Sequence, residues 1–101
     1  MAGSHGVIAA TANLVPKVHV KLLEYYDEGK LKEAVELETK LSDADWTSVQ
    51  LGVAGLKGAL DRYYGYGSGI SRRPLGMVES VKFEGRADAI LRDLVELENS
   101  L

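Results

Sequence analysis

The sequence predicts a mainly α fold in which one short strand is followed by four helices. Three observations lead there. An apolar run that is β-branched at Val7 and Ile8 stands near the start; apolar residues then recur at helical spacing through most of the chain; and glycines stand where each periodic stretch stops. The balance of residue types agrees. With 101 residues, 46% hydrophobic and 27% charged, the chain has the usage of one ordinary folded domain.

Residues 6–10, GVIAA, read as a strand buried on both faces, because small polar residues, Thr11 to Asn13, come after an uninterrupted apolar run. Pro16 suits a first helical turn, and Val15, Val18, Leu22 and Tyr25 keep helical spacing up to Gly29, predicting a helix over about 16–28. A second helix is expected from Lys30 or Leu31 towards Gln50, with Leu31, Ala34, Leu37, Leu41 and Ala44 as its apolar stripe. Gly52 and Gly55 loosen the next stretch, yet Val53, Leu56, Leu60 and Tyr64 predict a short third helix stopped by Gly65. Residues 65–76 are rich in glycine and contain a proline, the composition of a surface loop. The last helix is expected from near Lys82, with Phe83, Ala87, Ile90, Leu91, Leu94 and Leu101 on its apolar face.

A single strand cannot satisfy its own backbone donors and acceptors. The GVIAA run therefore implies neighbours, supplied by another copy or by a longer protein of which this chain is a piece.

Several function classes are disfavoured at once. A net charge of -3 offers no broad positive field for nucleic acid or anionic lipid. The absence of cysteine removes thiolate catalysis, disulfides and cysteine-based zinc sites, and fits an intracellular protein. No apolar run approaches the roughly 20 residues of a membrane span, and no basic region marks a signal peptide. The expected setting is cytoplasmic, or mitochondrial if an upstream leader exists.

The opening GSHGVIAATANLVPK resembles the last barrel strand and following helix of the dihydrodipicolinate synthase and N-acetylneuraminate lyase family of Schiff-base-forming class I aldolases. The resemblance continues through EGKLKEAVELETKL, residues 28–41. It sharpens at LGVAGLKGALDRYYGYG, residues 51–67, and SRRPL, residues 71–75, which are similar to the 4-hydroxy-2-oxoglutarate aldolase branch and to fungal deoxy-sugar-acid aldolases. It implies a fragment of a (β/α)8 TIM barrel. Residues 1–29 would be the last strand and its helix, and residues 30–101 the C-terminal helical extension of an enzyme that assembles as an oligomer.

In such an enzyme a lysine on the sixth strand condenses with pyruvate or another 2-oxo acid, a tyrosine on the fifth relays protons, and a hydroxyl-bearing motif holds the carboxylate. None of the three matches a residue of this chain, which is expected to be inactive alone; no catalytic residue, metal ligand or cofactor is assigned to it. One element carries over. Ile8 matches the position whose main-chain carbonyl faces the Schiff-base lysine and the bound keto acid, with Ala9, Ala10 and Thr11 forming a rim there.

Other residues have simpler readings. Lys57 in AGLKGAL invites a second imine-forming lysine, but a solvated or ion-paired side chain is the plainer expectation, as for Lys17 and Lys21. His5 and His19 have no carboxylate at a matching ligand offset. The glycines in GYGSG lack the strand and helix of a phosphate cradle. Trp46 and the five tyrosines read as core or interface aromatics. Arg72 reads as an ion-pair or hydrogen-bond anchor in its turn. A competing reading is a free-standing helical module that self-associates through its apolar faces.

Overall fold

Proline fixes φ near the helical value and lacks an N–H, so Pro16 opens a helix at no hydrogen-bonding cost. In the structure, a computed structural model describing residues 3–77 and 83–101, α1 runs Pro16–Asp27. It stops at Gly29, whose φ of +73° is left-handed. Lys30 N–H reaches back to Tyr25 O at 2.8 Å and Gly29 N–H to Tyr26 O at 3.0 Å, the paired closing bonds of a Schellman cap.

The second helix, α2, runs Leu31–Tyr64. Ala34, Leu37, Leu41 and Ala44 are buried as expected, whereas Leu31 is exposed. The third, α3, runs Gly85–Ser100 and buries Leu91, Leu94 and Val95. Leu14 and Val15, just ahead of α1, close the core together with Val18, Ala59 and Phe83. The long α2 packs against both other helices.

Two expectations are corrected. The strand is absent: among the described residues there is no strand, and residues 3–9 are extended chain leading into a 3-10 turn over Ala10–Asn13. The physical reason is the one that made a lone strand suspect, since β structure exists only in a ladder. The sole bridge among the described residues is Ile70 with Met77, which closes the end of the 65–76 loop. The run is not buried either, Val7 being 63% exposed and Ile8 fully so.

The helix count is the second correction. Three helices replace four, because the expected second and third are one element bent at Gly52. There φ is +67° and ψ −169°, a conformation open essentially to glycine alone. One residue takes up the whole bend and helix resumes on either side. Just before it, the Thr47 and Ser48 hydroxyls each donate to the carbonyl four residues back at 2.8 Å, bonds that favour bending. The expected start near Lys82 lies outside the described residues.

Two polar ties hold the helices. Glu98 near the end of α3 is 5% exposed, and its carboxylate accepts Lys17 N–H at 3.1 Å and Val18 N–H at 2.9 Å, capping α1 from a distant element. At the other end, Asp88 accepts Tyr63 OH at 2.7 Å, Arg62 Nε at 3.1 Å and Arg92 Nη2 at 2.9 Å. The Tyr63 bond and the Arg92 bond hold the Asp88 carboxyl below its ordinary range. Burial, then the bond to Asp88, pushes the Tyr63 phenol up to about 12.

Urea unfolding of the chain checks these ties and the bend. Gly52→Ala lowers stability by about 1–3 kcal/mol, although no atom crowds the added methyl. Glu98→Ala costs about 1–3 kcal/mol by leaving the buried Val18 N–H and the part-buried Lys17 N–H without their acceptor, and Glu98→Gln recovers part by keeping one acceptor. A raised tyrosine pKa stabilises fully below the unfolded value of 10 and loses that contribution as pH climbs towards about 12. Stability of the wild type therefore falls across that window, and the fall is shallower in Tyr63→Phe.

Candidate functional site

The residue that the resemblance marks, Ile8, sits in exposed extended chain immediately before the 3-10 turn. Ala9 is extended, with φ −133° and ψ 142°, and its carbonyl accepts Ala12 N–H at 3.2 Å, the first bond of the turn. Asn13 Nδ2 donates to Ala10 O at 3.1 Å, while Leu14 and Val15 N–H both reach Thr11 O at 2.9 Å. The chain from Ala9 to Val15 is thereby locked by its own backbone and one amide.

Side chains from two helices fix that turn in space. Thr11 is 1% exposed, so it lines no open rim, contrary to the expectation that grouped it with Ala9 and Ala10. Its Oγ1 lies 3.2 Å from His19 Nε2 on α1 and 3.5 Å from Asp45 Oδ1 on α2. A hydroxyl has one proton; with Thr11 donating to Asp45, this assigns the shorter contact to a bond from His19 Nε2–H. Tyr64 OH donates to Leu14 O at 2.7 Å. Burial, then the Glu98 charge, raises the Tyr64 phenol, which keeps it a donor.

Beside the turn lies an open cleft of about 520 Å³, bordered by Asn13, Lys17, Tyr64, Tyr66 and Glu98. Both Glu98 oxygens are committed to α1, and the Tyr64 hydroxyl is committed to Leu14. No nucleophile and base meet there. Among the described residues no group of three or more His, Asp or Glu side chains is placed to hold a metal ion.

The remaining candidates scatter. Lys57 is exposed on α2, far in sequence from the turn, and Lys21 pairs with Glu24 at 3.0 Å. His5 is exposed, and His19 is half-buried as the Thr11 partner. Arg72 makes no ion pair among the described residues; its carbonyl, accepting Leu75 N–H at 3.1 Å, is what anchors the turn. Trp46 and Tyr66 are exposed, so neither is a core aromatic.

Sequence reasoning missed Glu98 and the Thr11, His19 and Asp45 cluster. Glu98 had a signal: it comes after Leu91 and Leu94 at the spacing of the apolar face, so its carboxylate had to point inward. The cluster had none, because Asp45 lies 34 residues from Thr11.

Comparison with known proteins adds a second line. The chain is 39% identical over all its 101 residues to "L-threo-3-deoxy-hexylosonate aldolase" of Hypocrea jecorina, covering 31% of that protein. It is 37% identical over 99 residues to the protein of the same name from Aspergillus niger, covering 29% of it. "Probable 4-hydroxy-2-oxoglutarate aldolase, mitochondrial" of Emericella nidulans is 35% identical over 99 residues, with 31% of its length covered. The chain thus spans about 30% of the length of these curated relatives. No solved structure shows significant similarity to it. The family model for the dihydrodipicolinate synthetase family matches residues 1–91, nearly the whole chain, and with an aldolase relative 39% identical over all of this chain the protein belongs to that family.

Proposed function

We propose that the chain supplies the substrate-facing end of the last barrel strand, the helix after it and the helical extension of a class I aldolase acting on 2-oxo acids. Residues 1–29 form the first two of these parts and residues 30–101 the extension. The observation that carries the reading is the alignment of 98–100% of the chain with proteins named as aldolases at 35–39% identity. The extended residues 3–9, apolar at Val7 and Ile8 yet unpaired and exposed, support it as a segment suited to a ladder.

In the complete enzyme a lysine amine adds to the 2-oxo carbon of the substrate and water leaves, giving a protonated imine. Loss of the 4-hydroxyl proton drives cleavage of the C3–C4 bond, whose electron pair moves into the iminium to form an enamine. An aldehyde departs; protonation of the enamine carbon and addition of water then release pyruvate and restore the lysine. The iminium lowers the barrier by accepting charge that develops only in the transition state. Ile8 contributes through its main-chain carbonyl, an oriented dipole facing the imine and keto acid. Substrates are 4-hydroxy-2-oxo acids of the deoxy-sugar-acid or hydroxy-oxoglutarate kind. The chain alone is inactive, because none of its residues matches the family's imine-forming lysine. The assembled enzyme is oligomeric and works in the cytoplasm, or in mitochondria if a leader precedes it.

A second reading is favoured by a different observation. Trp46 and Val49 on α2 are 64% and 60% exposed at helical spacing, and Val53, just past the bend, is 57% exposed, apolar surface that suits self-association through like faces. Sedimentation showing a folded monomer at all concentrations would remove it.

The primary reading is tested by a chimera in which this chain replaces the aligned third of the Hypocrea jecorina protein. Pyruvate release from the 3-deoxy-hexylosonate substrate is the expected result, and a folded but inactive chimera sinks the proposal. The 101-residue chain alone should release none, and borohydride with pyruvate should leave Lys57 unmodified.

A further inference from the structure

The geometry points to Thr11 as a positioning residue: its buried hydroxyl, joined to His19 and Asp45, sets the direction of the Ile8 carbonyl. This rests on the aldolase reading for its catalytic consequence, though the anchoring is a property of the chain itself.

Ile8 O belongs to the peptide plane that enters Ala9, and Ala9 O is the first acceptor of the 3-10 turn. Upstream, among the described residues, residues 3–8 make only a short-range hydrogen bond from Ser4 Oγ to Gly6 O at 2.8 Å. Among the described residues the restraint on that plane therefore comes from downstream. Within the turn, the only side chain hydrogen-bonded to two different helices among the described residues is Thr11, with His19 Nε2 at 3.2 Å and Asp45 Oδ1 at 3.5 Å. A ladder fixes a strand along its length, but the carbonyl at its last position is aimed by whatever the chain does next. Here that is a turn whose own hydroxyl, on Thr11, bonds to α1 and α2 together, while Tyr64 OH holds Leu14 O just after it.

A packing role and a positioning role make opposite demands. Valine keeps the shape of threonine and loses the hydroxyl; serine keeps the hydroxyl and loses the methyl. Asp45 is exposed and His19 half-buried, so water takes over their bonds in Thr11→Val and the fold survives. In the chimera, Thr11→Val should lower kcat by about 10–100-fold, the scale of a small misplacement of a reacting group, with KM changing far less. Thr11→Ser should regain most of that loss. If valine is as active as the wild type, or outperforms serine, the hydroxyl positions nothing and the inference falls. An inactive parent chimera removes the aldolase reading and the catalytic consequence with it. Anchoring is then decided by amide exchange in the 101-residue chain: protection at Ala12 should drop in Thr11→Val and persist in Thr11→Ser, and equal protection in both overturns it.

Discussion

The placement of every other part depends on two oxygen atoms of Glu98. An α-helix begins with backbone N–H groups that have no partner inside it, and the start of α1 can be accounted for group by group. Pro16 has no N–H; His19 N–H reaches Val15 O at 3.4 Å. Lys17 and Val18 remain, and both donate to Glu98. The residue at the cap position, Val15, is apolar and supplies no side-chain bond, so the cap has to come from elsewhere. It comes from a residue 80 positions beyond Val18. Capping, usually a local affair worth ~1 kcal/mol, here closes the chain on itself. The positive end of the α1 dipole offsets a carboxylate that would otherwise be costly to bury.

Once α1 is fixed, the turn before it has little freedom, and α2 removes most of what is left. Asp45 precedes the bend at Gly52 and Tyr64 lies beyond it, yet both bond within the Thr11–Leu14 stretch. A straight helix would carry residues about 19 apart nearly ~30 Å from one another. The glycine bend is what lets one helix grip the same short segment twice. The bend at one glycine thus brings two side-chain anchors to the place where the chain turns towards Ile8.

The parts of the fold legible in the sequence are those decided locally. The start of α1 is set by Pro16 and its end by Gly29, and the stripe from Ala34 to Ala44 comes from spacing alone. The strand is not there because the apolar run at 6–10 records a demand for partners, and the ladder that would meet it is not found among the described residues. Two helices are expected where one bends, since the same glycine that weakens a helix can also be its hinge. Glu98 escapes notice because carboxylates are ordinarily solvated. The role assigned to Ile8 has no physical signature of its own: a main-chain carbonyl is common to all residues, and only the family resemblance singles it out.

Core and extended N-terminal segment are separate regions of this molecule. Leu91, Leu94, Val18 and their neighbours form a core to which residues 3–9 contribute nothing, so α1–α3 hold together without reference to the extended segment. Val7 and Ile8 stand in solvent at a cost, because β-branched apolar side chains gain free energy from cover. A segment of that kind is stable in place only when strands flank it, and its polar backbone is then satisfied by the same neighbours. The helical bundle thus acts as a preassembled base from which Ile8 is presented. On the proposed aldolase reading, rigidity on one side of the Ile8 carbonyl is what would allow partners on the other side to be aligned against it.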